Sequence, residues 1–212
     1  MKTRAQFLTV LTAAILLAAA AIVTTLWLTR PREIPLTGMP SFDGQPTLGS
    51  SDAPVTLILL ENFMCEHCKA FEADVFPAIK RDFIDTGQVQ ARYVNLAWGE
   101  EAATLSGLAG ECAYSQNNDA FWDYKTKLYE TQKQWQTAAE LSEVAGGVAG
   151  LNADALESCI SERQTQSDVE NDLNLANTLG VSGTPSVIVG DQGFEAPDYE
   201  TLRIALEAQL TN

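Results

Sequence analysis

Apolar and polar positions follow three regimes along the chain. Phe7 to Leu28 is a run of 22 residues without a charge. At 1.5 Å per residue it spans roughly 33 Å, enough for a hydrocarbon core of roughly 30 Å. Residues 29–54 hold no sustained period, and five of the eight prolines fall there, with Gly38, Gly44 and Gly49. That composition reads as a semi-extended linker. From Val55 the pattern is that of a folded domain. Val55 to Leu60 (VTLILL) is a continuous apolar run, as in a strand buried on both faces. Cys68, Phe71, Val75, Ile79 and Phe83 then recur every three or four residues, and Phe76 widens the stripe. This spacing predicts an amphipathic helix, which Pro77 kinks or splits and Asp85-Thr86-Gly87 ends. Val89 to Trp98 reads as a second strand. Glu100 to Leu179 keeps a helical period and predicts four or five helices, with a capping box from Thr137 to Glu140 and a C′ glycine at Gly180. Thr184 to Val189 is a strand that opens with Pro185, and Gly190-Asp191-Gln192-Gly193 turns it into a further short strand. Asp198 to Leu210 closes the chain as a helix, with Tyr199, Leu202, Leu206 and Leu210 on one face.

The first run is read as an anchor. Lys2 and Arg4 precede it, and Arg30 and Arg32 follow, so the flanking charges set orientation only weakly. A cleavable signal peptide, cut near Ala18 to Ala21, is the alternative. The run continues through Ile22, Val23, Leu26, Trp27 and Leu28, beyond the roughly 7–15 residues of a signal core, which favours the uncleaved anchor. The expected division is a cytoplasmic stub at 1–6, a transmembrane anchor at 7–28, a Pro/Gly linker at 29–54 and a domain at 55–212. Both anchor and signal place the domain on the extracytoplasmic side.

Charge and composition narrow the chemistry. The chain carries 13 Lys+Arg, 28 Asp+Glu and a single histidine. Without Lys2, Arg4 and Arg30, the part beyond residue 30 keeps ten basic residues against all 28 acids, a net of −18. That argues against nucleic acid as a partner and favours solubility. One histidine excludes a His-rich zinc site and a two-His HExxH site.

That histidine, His67, lies inside Cys65-Glu66-His67-Cys68, between the buried strand and the amphipathic helix. Residues three apart share a helix face, so the two thiols can close a small disulfide. Cys65 falls at the helix N-terminus, where open N–H groups and the macrodipole favour a thiolate. Cys68 begins the apolar stripe and is expected to be buried. This asymmetry suits thiol–disulfide exchange, with Cys65 attacking or attacked and Cys68 resolving the mixed disulfide. His67 is expected to stabilise the thiolate and Glu66 to oppose it. A potential between roughly −270 and −120 mV follows, the thioredoxin and DsbA values. The competing readings are half a zinc site, a purely structural disulfide, and a copper-binding or client-binding module without turnover.

These residues together resemble the DsbA-type thiol–disulfide oxidoreductases of the thioredoxin superfamily. Gly49-Ser-Ser-Asp-Ala-Pro54-Val55 resembles the approach to that family's first core strand. Ala120-Phe121-Trp122-Asp123-Tyr124, with Leu128, Tyr129 and Gln132, resembles the helical insertion of its membrane-anchored branch. Gly180-Val181-Ser182-Gly183-Thr184-Pro185-Ser186 resembles its cis-proline segment. The resemblance covers about residues 47–210. It implies an α/β thioredoxin fold with an all-helical insertion at about 100–180 between βαβ and ββα halves, preceded by one transmembrane helix. It also implies that Pro185 is cis and lies against Cys65 and Cys68, with Thr184 docking an extended client. The implied activity is an extracytoplasmic oxidase that introduces disulfides into exported proteins with free cysteines. No metal or organic cofactor is expected, and a membrane redox partner re-oxidises the pair. The same chemistry run as a reductase or isomerase, as in cytochrome maturation, is the alternative. Two positions depart from the family. Glu66 stands where proline is frequent. Leu59, six residues before Cys65, stands where many relatives place a buried acid, and Glu61 is the candidate replacement.

Cys112 and Cys159 remain. Four cysteines allow three pairings. With 65 and 68 adjacent, and with some relatives carrying a second disulfide in the insertion, a structural 112–159 bond is expected; two buried free thiols are the alternative. Trp98, Trp122, Trp135, Phe121 and Tyr124 are expected in the core rather than in a peptide groove.

Overall fold

The apolar run that begins at Val55 becomes the strand around which the domain is arranged. The computed structural model describes residues 2–28, 32–36 and 39–211, in two units, Met1–Pro31 and Arg32–Asn212. The first unit is α1 (Lys2–Leu28), with a segment, Leu8–Thr25, long and apolar enough to cross a membrane.

The second unit contains a sheet of six strands, β1 (Arg32–Ile34), β2 (Thr47–Leu48), β3 (Val55–Glu61), β4 (Val89–Asn95), β5 (Ser186–Val189) and β6 (Gln192–Glu195). Their order is β1-β6-β5-β3-β4-β2. β3 runs parallel to β4, from Val55 opposite Val89 to Glu61 opposite Asn95. It runs antiparallel to β5, with Leu59 opposite Val187. Alternation sends Leu57 and Leu59 to one core, and Ile58 and Leu60 to the other. Both faces of β3 are therefore buried, as its unbroken apolar run requires.

A parallel pair needs a crossover. It is supplied by α2 (Glu66–Asp74), α3 (Phe76–Ile79) and a π-helical turn at Lys80–Ile84. Pro77 splits the helix as expected: it falls in the first turn of α3, where its missing N–H would have no partner. Five helices follow, α4 (Glu101–Gln116), α5 (Asn118–Glu130), α6 (Ala138–Ala145), α7 (Ala153–Ser161) and α8 (Gln166–Leu179). Thr137 and Glu140 form the capping box. Gly180 ends α8 at φ +75°, a conformation glycine adopts without steric cost. The hairpin β5–β6 and α9 (Tyr199–Leu210) complete the chain. Cys112 on α4 and Cys159 on α7 are joined by a disulfide, with Cα atoms 6.0 Å apart.

Two boundaries differ from expectation. The stretch 29–54 is not simply a linker. Its described residues include β1, which pairs with β6, and β2, which pairs with β4. Phe42 is buried in the core with Ile58 and Leu60. Trp122 Nε1 and Asn118 Nδ2 both donate to Thr47 O, at 2.9 and 2.8 Å. Prolines and glycines mark turns there, while strands of two or three residues are too short for alternation to show. Residues 29–31, 37 and 38 of that stretch lie outside the described residues. β4 stops at Asn95 rather than Trp98, because its partner β3 ends opposite it; Leu96 N makes a last bond to Glu61 O at 2.7 Å.

Candidate active site

At the end of β3 the chain turns sharply. Cys65 N donates to Asn62 O at 3.0 Å, and Asn62 Oδ1 receives Met64 N at 2.7 Å. Asn62 Nδ2 ties this turn to Trp98 O at 3.1 Å. Cys65 is the N-cap of α2, with φ −80° and ψ 121°. Its sulfur therefore sits where the first turn's N–H groups are open. Cys65 is half-buried, Cys68 is fully buried, and both are thiols.

The two thiols have opposite acidities. The hydrogen bond from Cys68 contributes most to lowering the Cys65 pKa to about 5; burial opposes it, and Thr184 and the backbone N–H groups of Cys68 and His67 add to it. Burial pushes the Cys68 pKa up, as do its hydrogen bond to Cys65 and the charge of Glu61. Thr184 O lies 3.4 Å from Cys65 Sγ, and the Thr184–Pro185 peptide is cis. The one Thr-Pro of the sequence is thus beside the first cysteine.

The dipeptide between the cysteines is exposed. What reaches Cys65 from position 67 is the backbone N–H, rather than the imidazole expected from the sequence. The His67 side chain lines a shallow depression with Phe71, Asp74, Pro185, Pro197 and Asp198. Glu66 pairs with Lys133, whose hydrogen bond and charge hold its carboxyl below the usual range. A second depression on the Cys65 side is lined by Met64, Trp98, Glu100, Ala103 and Lys133. Trp98, expected in the core, is only partly buried: it packs against the core of Phe42, Ile58 and Leu60 and also lines this depression. Phe121, Trp122, Tyr124 and Trp135 are buried.

Under the cysteines is a buried polar cluster. Glu61 is fully buried, receives Tyr129 OH at 2.9 Å and lies 3.5 Å from Lys125 Nζ. Lys125 also pairs with Glu72 on α2 and stands 4.5 Å from the Phe76 ring centroid. Among the described residues, Glu61 Oε1 has no hydrogen-bond partner. Burial raises Glu61 to about 7, and Glu72 adds to the rise, while Lys125 and Tyr129 oppose it. Burial alone would lower the Lys125 pKa, but the charges of Glu61 and Glu72 hold it up. Leu59, at the family's usual acid position, is in the apolar core.

Lys125, Glu72, Tyr129, Gln132 and Lys133 were not singled out by chemistry in the sequence. A signal existed for two of them. Glu72 is four residues after Cys68, and Lys125 is four after Phe121, so each interrupts an apolar stripe with a charge. Their mutual contact depends on how α2 and α5 pack.

Comparison with known proteins agrees with this geometry. A family model described as Thioredoxin matches residues 41–208. Disulfide bond formation protein D of Bacillus subtilis (strain 168) is 33% identical over 180 residues, 82% of this chain and 81% of the relative. The crystal structure of oxidised BdbD from Bacillus subtilis superposes with a TM-score of 0.80 at 32% identity, covering 84% of this chain and 99% of that one. Chlamydia trachomatis DsbA shares the fold, with a TM-score of 0.74 at 22% identity over 84% of this chain and 96% of its own. The chain belongs to the thioredoxin family and is a thiol–disulfide oxidoreductase of the DsbA type.

Proposed function

We propose that the protein introduces disulfides into exported proteins, working from an N-terminal membrane anchor with its domain on the extracytoplasmic side. The opposed acidities of Cys65 and Cys68 carry this reading. A thiolate stable at neutral pH makes the reduced pair stable and the disulfide oxidising. In the oxidised enzyme a client thiolate attacks Cys65 Sγ. The Cys65–Cys68 bond breaks, and Cys68 leaves with the electron pair. Its burial makes a lasting thiolate costly, so it takes a proton. In this reading Glu61, with a pKa of about 7 and its charge acting on Cys68, gives that proton and takes it back on re-oxidation. A second client thiolate then attacks the client sulfur of the mixed disulfide. Cys65 departs as a thiolate, a good leaving group because its pKa is low. The client leaves oxidised and the enzyme holds the reduced pair, Cys65 as thiolate and Cys68 as thiol, which a membrane redox partner re-oxidises. Thr184 O and the adjacent backbone are suited to pair with an extended client segment. Cys112–Cys159 stays outside the exchange as a staple within the insertion.

Equilibration of the full-length protein in detergent with glutathione buffers tests this. The expected Cys65–Cys68 potential lies closer to roughly −120 mV than to roughly −270 mV. A value near the latter would displace the oxidase in favour of a reductase.

A further inference from the structure

One short stretch of the insertion, Glu130 to Lys133, reaches the chain around Cys65–Cys68 from outside its own helix. Lys69 Nζ donates to Glu130 O at 3.3 Å. The Gln132 side-chain amide, itself buried, donates to Phe63 O at 2.8 Å and to Cys65 O at 2.9 Å. Lys133 pairs with Glu66. Lys133 also takes φ +67°, in the left-handed region that non-glycine residues enter at a cost.

We infer that Gln132 and Lys133 are positioning residues for the Cys65 thiolate. Gln132 fixes the Cys65 backbone so that the sulfur meets the first N–H groups of α2, and Lys133 cancels the Glu66 charge that would oppose it. The inference rests on the exchange chemistry proposed above and says how this chain poises it. Cys65 O receives both Gln132 Nε2 and Lys69 N, the latter at 3.1 Å. The peptide plane is therefore held from the insertion and from the helix at once. That plane sets the extended N-cap conformation from which Sγ is reached by the N–H groups of His67 and Cys68. The charged or titratable groups near Cys65 are Glu66, His67, Lys69, Glu100 and Lys133 at the surface, and Cys68 and Glu61 beneath. Glu66 is next to Cys65 in the chain, and Lys133 is its ion-pair partner. The Glu66 and Lys133 side chains are 73% and 53% exposed, so the pair is weak and screened by salt.

The test uses the full-length protein in detergent. Cys65 is titrated by thiolate absorbance, and the Cys65–Cys68 equilibrium with glutathione is measured, in wild type, Lys133→Gln, Glu66→Gln and the double variant. Lys133→Gln is expected to raise the Cys65 midpoint and make the disulfide roughly two- to fivefold less oxidising. That effect is expected to be smaller in the Glu66→Gln background, where nothing holds the ammonium beside the dipeptide, and to shrink in about 1 M salt. Equal shifts in both backgrounds, or none in either, overturn the role of Lys133. Gln132→Met keeps volume but removes both donors. It is expected to raise the Cys65 midpoint at low and high salt alike. A lowered melting temperature with an unmoved midpoint overturns the positioning role of Gln132. A wild-type potential near thioredoxin's counts instead against the oxidase direction, and the coupling between Lys133 and Glu66 is still read from the same four proteins.

Discussion

Glu61 and Lys125 acquire their properties from burial. A carboxyl on a surface titrates near its ordinary value; Glu61 is raised to about 7 because solvent is excluded and Glu72 competes for the same lysine. Glu61→Gln is expected to leave the Cys65 midpoint near pH 5 almost in place. It should remove an inflection near pH 7 from the rate of re-oxidation, measured by rapid-mixing fluorescence. An unchanged rate profile would remove Glu61 from the proton path. Lys125→Met leaves two buried carboxylates without their cation and is expected to cost about 3–5 kcal/mol in urea unfolding. His67→Ala keeps the backbone N–H that reaches Cys65. It is expected to move the Cys65 midpoint by less than ~1 unit; a larger shift would restore the imidazole to the role read from the sequence. At this scale Cys65 and Cys68 were legible, because a helix start and an apolar stripe are local features. The Glu61 surroundings were not. Strand alternation assigns a face, but it does not say which lysine or tyrosine arrives from another helix.

The insertion connects these residues to the rest of the domain. α5 delivers Lys125 and Tyr129 beneath the cysteines, and the turn after it delivers Gln132 and Lys133 beside them. α4 and α7 are joined by Cys112–Cys159, which closes an interval of 47 residues. Replacing both cysteines by alanine is expected to lower stability by about 2–4 kcal/mol in urea unfolding. The Cys65–Cys68 potential should stay unchanged; a shifted potential would give the second disulfide a redox role. The elements of eight or more residues were readable, since several turns of a helix repeat the apolar stripe often enough to be seen. β1 and β2 were not, since their pairing with β6 and β4 is decided across the sheet.

For the molecule as a whole, the acid excess has one internal consequence. Asp172 on α8 receives Asn95 N at 2.6 Å and Gln45 Nε2 at 2.7 Å, linking the insertion to β4 and to the segment before β2. Burial raises Asp172 to about 7, and Asp168 adds to the rise, against these two hydrogen bonds. Burial pushes Glu111 well up, with Asp172 and Asp168 contributing. A raised carboxyl holds its proton in the folded state at a pH where the unfolded chain has released it. For Asp172, stability therefore falls as pH rises from the ordinary carboxyl values toward about 7 and that loss is complete above it; Glu111 adds a loss of the same sign. Scanning calorimetry from about pH 5 to 8 is expected to show a falling melting temperature. Glu111→Gln is expected to flatten that fall and raise the melting temperature at the alkaline end. A variant that melts lower at every pH would show that the carboxyl, charged or not, is needed for packing.

The sequence by itself determined the apolar N-terminal helix, the order of the elements from β3 onward, and the place of the Cys65–Cys68 pair at a helix start. Each depends on near neighbours in the chain: a hydrophobic run, a period, a cap, or two cysteines three residues apart. The tertiary structure decided that Thr184 meets Cys65 across 119 residues. It also decided that Glu61 rather than position 59 supplies the buried acid, and that Gln132 and Lys133 reach the reactive segment. Those contacts join residues far apart in the chain. They exist only once the sheet is paired and the helices are packed on it, because side chains of opposite or complementary character are brought within bonding distance by burial of surfaces they do not themselves control.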